Sequence, residues 1–151
     1  MLIGLISDTH GLLRPEAVAA LRGSTLIIHA GDIGRPEVLA RLRRVAPTFA
    51  VRGNVDTQPW AAALPMTEAV EAGPHLIWVL HDMAQLDLDP TVGFAAVAFG
   101  HSHKPSIETR DGVLYINPGS AGPRRFRLPV TVARLRVNGA EIYPEIVDLD
   151  V

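Results

Sequence analysis

Leu2-Ile3-Gly4-Leu5-Ile6-Ser7-Asp8-Thr9-His10 is the stretch whose reading decides the fold. A short apolar run that stops abruptly at polar residues reads as a buried strand, here with Asp8 and His10 just past its carboxyl end. The same arrangement recurs along the chain. Thr25–His29 is followed by Asp32, and Thr48–Val51 by Asn54 and Asp56. Leu76–Leu80 is followed by His81, and Ala95–Phe99 by His101 and His103. In α/β folds, sites form beyond the carboxyl ends of strands, where loops from distant sequence converge. Chance could place one or two oxygen or imidazole donors there. Five such strand ends in order imply a common site.

The segments between these runs complete the fold class. Pro15–Arg22 carries Val18, Leu21 and several alanines at helical spacing, with Pro15 suited to the first turn and Gly23 to the end. Arg35–Arg44 repeats the pattern, with Pro36 early and Val38, Leu39 and Leu42 on one face. Residues 53–66 read as an irregular connection, and 82–91 as a loop with a short helical turn limited by Pro90. Thr67–Glu71 and His75–Leu80 flank Ala72-Gly73-Pro74, a hairpin turn. Ser106–Arg110 and Val113–Asn117 flank Asp111-Gly112, and Val130–Val137 and Glu141–Val147 flank Asn138-Gly139-Ala140. Strand–helix alternation followed by hairpins predicts an α/β chain with two sheets packed as a sandwich, flanked by helices on at least one outer face. No linker interrupts the pattern, so residues 1–151 read as one domain.

Composition sets the outer limits. The chain has 151 residues, 48% hydrophobic and 20% charged, which suits a single core. A chain of this length buries ~68–70% of its unfolded surface and needs no covalent staple. It has no cysteine, which excludes disulfides, thiolate metal sites, iron–sulfur clusters and cysteine nucleophiles. A net charge of -2 disfavours a dedicated nucleic-acid binder. No apolar stretch reaches the ~20 residues of a membrane span, and the amino terminus lacks the pattern of a signal peptide. The expectation is a cytoplasmic protein with no membrane partner.

Asp8, Asp32, Asn54, His10, His81, His101 and His103 together offer two carboxylates, one amide and four imidazoles. That exceeds one tetrahedral zinc. It suits two adjacent ions sharing a carboxylate, the arrangement used for in-line phosphoryl displacement at ~3.5–4 Å separation. Asp8/His10 and His101/His103 share i, i+2 spacing, which on extended backbone puts both side chains on one side. Gly31, Gly53 and Gly100 permit tight turns and close approach. Nitrogen and oxygen donors without sulfur favour Mn, Fe, Zn, Co or Ni over Ca or copper(I).

Asp8-Thr9-His10, Gly31-Asp32, Gly53-Asn54-Val55-Asp56, His81 and Gly100-His101-Ser102-His103 resemble the ordered blocks of the calcineurin-like metallophosphoesterases. Asn117-Pro118-Gly119-Ser120 resembles their small bacterial and archaeal phosphodiesterase branch. The resemblance spans roughly residues 1–120 and implies a four-layer metallophosphoesterase fold, two sheets with flanking helices. It implies that Asp8, His10 and His103 hold one divalent metal ion, that Asn54, His81 and His101 hold a second, and that Asp32 bridges them. The ions would be Mn foremost, with Fe, Zn, Ni, Co or Mg as alternatives. It further implies a phosphodiesterase in which a metal-bound hydroxide attacks phosphorus, with Asp32, Asn54, His81 and His101 catalytic and Asn54 also touching a small phosphoester substrate. Two departures stand out. Val55 occupies a place where many members carry a histidine that protonates the leaving group. Asp82 follows His81 where glycine is common, and the segment from His81 to Gly100 is short.

Plainer roles are open to the same residues. Asp8 and Asp32 could cap the helices that follow, Asn54 could be a turn residue, and His81 an ordinary strand-end histidine. His29 reads as a satisfied buried histidine, Asp56 as a turn residue or an orienter of Asn54 or His10, and Trp60 and Trp78 as core. Arg124, Arg125 and Arg127 form the only notable basic cluster, by default a solvated face, more sharply a grip on an anionic substrate tail. The alternative to the enzyme is a non-catalytic protein-interaction scaffold on the same fold. A nuclease is disfavoured by charge. Tyr143 and the terminal hairpin offer an edge for a homo-oligomer.

Overall fold

Each apolar run named above is a strand in the computed structural model, which describes residues 1–151. β1 (Leu2–Ile6), α1 (Pro15–Leu21), β2 (Leu26–His29), α2 (Pro36–Arg43) and β3 (Thr48–Ala50) form two successive strand–helix–strand units with parallel pairing. Both helices begin on a proline, whose missing N–H costs nothing at that position. They bury Ala17 and Leu21, and Val38, Leu39 and Leu42, against one face of the sheet.

β4 (Thr67–Ala72), β5 (His75–Leu80), β6 (Ala96–Ala98), β7 (Ser106–Arg110) and β8 (Val113–Asn117) make a second sheet in the order β4-β5-β6-β8-β7. Between the two sheets lies a core including Ile3, Leu5, Ile28, Val70, Ile77, Val79 and Ile116. Each fully buried side chain of this kind contributes roughly 1.5–3 kcal/mol relative to exposure. The sandwich with flanking helices is therefore the observed fold, and it brings the carboxyl ends of β1, β2, β3, β5 and β6 to one rim.

The outer layers differ in kind. Both α-helices cover the first sheet. The second is covered by the segment after β5, whose single 3-10 turn, Met83–Gln85, packs with Leu86, Trp78 and Phe99 on Leu80, Val97, Val113 and Tyr115. That segment contains Asp82, Asp87, Asp89 and Pro90, which favour turns over a helix. Trp60 packs on the helix side and Trp78 beneath this segment, so both serve as packing residues.

The terminal hairpin also has a place that local sequence does not reveal. β9 (Thr131–Asn138) and β10 (Glu141–Asp148) return to the first sheet, where β9 pairs antiparallel with β1 and gives the order β10-β9-β1-β2-β3. β10 is an edge strand and carries Pro144, a residue that sheets tolerate at edges. No helix is long and apolar enough to cross a membrane.

Candidate metal centre

All seven sequence-selected residues meet at the rim. Asp8, His10 and His103 present ligand atoms within 4.8 Å of one another, and so do Asp32, His81 and His101. The two groups abut: His10 Nε2 lies 3.7 Å from Asp32 Oδ2, and His81 Nε2 lies 3.9 Å from Asp8 Oδ1. His81 Nε2 is 3.2 Å from Asp32 Oδ2, and His103 Nε2 is 3.4 Å from Asp8 Oδ1. The amide end of Asn54 that faces the cluster is 3.1 Å from His81 Nε2 and 3.3 Å from each Asp32 oxygen. With its nitrogen there, Asn54 donates to these atoms. With its oxygen there, lone pairs face lone pairs, an arrangement that a cation among them would stabilise.

The backbone reaches this geometry by a different route from the one expected. Asp8, His10, Asp32, His101 and His103 all have positive φ, between 46° and 73°. The i, i+2 pairs are thus set by left-handed backbone, not by strand alternation. Asp8 and His10 still share one group, whereas His101 and His103 diverge into separate groups. Left-handed backbone is costly for side chains larger than glycine, by roughly 1–3 kcal/mol each, and such strain clusters at functional sites.

Neighbouring loops hold the strained residues in place. Asp56 accepts hydrogen bonds from the amides of Ile33, Gly34 and Gly53, so it clamps the loop after β2 to the loop after β3. Asn117 donates to the Gly100 carbonyl and to Ser102 Oγ, fixing the loop of His101 and His103. Ser7 donates to Asp8 Oδ2 at 2.8 Å, and the His101 amide donates to the same oxygen. Ser7 was not among the sequence-selected residues; as the last residue of its apolar run it carried no signal beyond its position. Val55 leaves its side chain half-open but donates its amide to Asp32 Oδ1 at 3.1 Å. Asp82 stands 3.8 Å from His101 Nε2.

One atom tests whether a metal fits. Asp8 is fully buried, yet its Oδ1 accepts no hydrogen bond and faces the Nε2 atoms of His10, His81 and His103. A buried acceptor left unsatisfied costs ~1–3 kcal/mol. Burial pushes the Asp8 carboxyl above its ordinary pKa, with His81, Ser7 and His103 only partly opposing it. Burial also pushes Asp32 up, but the hydrogen bonds from His81 and Val55 outweigh it and hold the carboxyl below its usual range. His81 is pulled down by burial and raised more by Asp32 and the Ala30 carbonyl. A carbonyl only accepts, so Nδ1 of His81 carries a proton at 2.7 Å from Ala30 O; the proton on Nε2 is the one shared with Asp32, and it is the one a metal ion would displace. This is how outer-layer partners orient a histidine for a metal. The donor set and the orphaned Asp8 oxygen fit divalent cations.

His29 supports the site from below. It is fully buried; Nδ1 accepts the Gly31 amide at 3.1 Å, so Nε2 carries the proton and donates to Thr9 Oγ1 at 3.0 Å. Thr9 in turn donates to the Ile33 carbonyl. Burial, reinforced by His81, lowers its pKa to about 3. The folded state thus refuses a proton that the unfolded chain accepts below about 6.5. The stability is fully present above that pH and is lost as pH falls towards 3, by about 1.4 kcal/mol per unit. His29→Gln, which keeps a donor and an acceptor, is expected to flatten the pH dependence of urea unfolding between pH 4 and 6 by close to one proton. Identical slopes in the two proteins would contradict this.

The basic cluster lies beside the same rim. Arg125, Phe126, Arg127 and Leu128 line an open groove with Ser102 and Lys104, the two neighbours of His103.

Comparison with known proteins bears on the family and the fold. A curated "Probable metallophosphoesterase" of Methanothermobacter thermautotrophicus is 35% identical over 160 residues, covering 97% of this chain and 92% of the relative. Among solved structures, a novel archaeal phosphodiesterase superposes with TM-score 0.76 at 23% identity, covering 97% of this chain and 100% of the other. Vps29 of Chaetomium thermophilum superposes with TM-score 0.78 at 19% identity, covering 97% of each chain. At those identities the two structures speak for the fold alone. Residues 1–140 match the family described as the calcineurin-like phosphoesterase superfamily domain, and the chain belongs to that family.

Proposed function

We propose that the protein is a phosphodiesterase that works with two adjacent divalent ions, manganese foremost, on a small phosphoester. Membership of the family supports a hydrolase acting on phosphoesters. The single observation that carries the finer reading is the pair of abutting Asp/His groups around the orphaned Asp8 oxygen. Asp8, His10 and His103 would hold one ion and Asn54, His81 and His101 the other, with Asp32 between them. Bound divalent ions supply the activation of water for attack on phosphorus and neutralise charge on the phosphoryl oxygens.

The chain's own residues do the positioning. The Val55 amide and His81 fix the Asp32 carboxylate, and Asn54 points its amide into the same space. The Ala30 carbonyl fixes the His81 ring. Asn54 would also touch the phosphate. Val55 offers no proton to a departing alcohol, so esters whose leaving group departs as a stable anion are favoured.

Metal-stripped protein supplemented with Mn²⁺ is expected to hydrolyse bis-p-nitrophenyl phosphate, and chelator to abolish that turnover. Correctly folded protein that shows no metal-dependent turnover would count against the reading. The alternative is a non-catalytic scaffold, which draws on the absence of an acid at Val55. The complete set of seven ligand-capable side chains speaks for the enzyme. A stoichiometric protein partner together with no hydrolysis of any phosphoester would favour the scaffold.

A further inference from the structure

The turn that bears Phe126 has no explanation in the fold. The Leu128 amide closes it on the Arg125 carbonyl, which leaves Phe126 at the tip with 89% of its surface exposed. Its φ is 55°, a conformation disfavoured for a bulky side chain. Turn tips of this kind usually hold glycine, asparagine or aspartate. Here a large aromatic ring is held in water, on strained backbone, with an arginine on each side.

The ring is one wall of a groove of about 990 Å³, lined by Ser102, Lys104, Arg125, Phe126, Arg127 and Leu128. Three of these six residues are cationic and none is acidic. Arginine–carboxylate pairs occur elsewhere, between Arg110 and Glu108 and between Arg134 and Glu145, but Lys104, Arg125 and Arg127 have no carboxylate partner. Lys104 is the chain's only lysine. Ser102 and Lys104, on one wall of the groove, bracket His103 of the metal centre in sequence.

We propose that this groove is the subsite for the part of the substrate that extends away from the metal centre, and that the substrate is a nucleotide-type phosphoester. A planar ring stacks on Phe126, and a second anionic group is held by Lys104, Arg125 and Arg127. The assignment as a substrate subsite rests on the phosphodiesterase reading above. An aromatic face beside unpaired guanidinium groups matches a base joined to a phosphate: the ring supplies stacking and the arginines supply bidentate anion contacts. A plain alkyl phosphate would use the cations and leave the ring idle. The positive charge would also draw an anionic ester towards the groove.

Calorimetric titration of the metal-stripped full chain tests the subsite without relying on turnover, with AMP, adenosine and inorganic phosphate as probes. AMP is expected to bind roughly tenfold or more tighter than either adenosine or phosphate alone, the size of one base–aromatic stack added to an ion contact. Phe126→Ala and the double variant Arg125→Ala/Arg127→Ala change exposed side chains only, and each is expected to weaken AMP by roughly tenfold. AMP binding no tighter than phosphate, or unaltered in both variants, overturns the proposal. Turnover of bis-p-nitrophenyl phosphate with Mn²⁺, alongside absent AMP binding, would sink the subsite and leave the phosphodiesterase standing. AMP binding that depends on Phe126 and the arginines, without metal-dependent turnover, would keep the groove as a nucleotide site and sink the catalytic reading.

Discussion

Asp32→Asn is expected to lower kcat/KM for bis-p-nitrophenyl phosphate by ~10³-fold, equivalent to about 4 kcal/mol of lost charge stabilisation. Asp32 Oδ2 lies 3.2 Å from His81 of its own group and 3.7 Å from His10 of the other, the shorter of the two contacts that cross between the groups. Neutralising it removes the one charge that both ions would share. The substitution keeps the shape: the asparagine carbonyl can still accept the Val55 amide, as Asp32 Oδ1 does at 3.1 Å. The melting temperature of metal-free protein should therefore shift by only a few degrees, since ~1 kcal/mol corresponds to about 2–4 °C in a domain of this size.

The metal itself provides a second readout. An ion bound to the folded state alone stabilises it by about 2.7 kcal/mol at one hundred times its dissociation constant. Wild-type protein should gain thermal stability on addition of Mn²⁺, and Asp32→Asn should gain far less. Wild-type turnover together with wild-type metal stabilisation in the variant would show that Asp32 does not bridge the centre.

Gly53→Ala is expected to have the next largest effect, through backbone instead of charge. A Cβ at residue 53 would lie 2.2 Å from the Asp32 amide nitrogen and 2.2 Å from Asp32 Oδ1. Neither atom can give way cheaply. The nitrogen is backbone, and the Asp56 carboxylate clamps both loops through the Ile33, Gly34 and Gly53 amides. The added methyl must push the two loops apart and carry Asp32 out of register with His81. A displacement of about 1 Å at a reacting geometry costs ~10²-fold in rate, and overpacking of this kind costs ~1–3 kcal/mol in stability. Activity should fall by about that factor, with weakened Mn²⁺ binding by calorimetry, while the far-ultraviolet circular dichroism spectrum stays native. Unchanged activity would mean that the two loops do not pack as closely as 2.2 Å implies.

Much of this was legible in one dimension. Burial of both faces of a strand demands an unbroken apolar run, so β1, β2, β5 and β6 announced themselves by composition, and their ends located the ligand-capable residues. Asp111-Gly112 and the turn at Gly139 fixed two hairpins because few residues tolerate the positive φ that such turns need. The backbone conformation of the site was not legible. Asp8, His10, Asp32, His101 and His103 adopt left-handed φ, and Asp56 and Asn117, which bind their loops, come from other parts of the chain.

The amino-acid order by itself determined the fold class, the strands and helices, and the seven side chains that face one another, because those follow from local patterning and from which residue closes each strand. Only the tertiary structure decided that the terminal hairpin returns to β1 across more than a hundred residues, that the site residues sit on left-handed backbone, and that Phe126 stands exposed beside the rim. Those outcomes depend on contacts between segments far apart in the chain, whose pairing is chosen by the packing of the whole sandwich and leaves no mark on neighbouring residues.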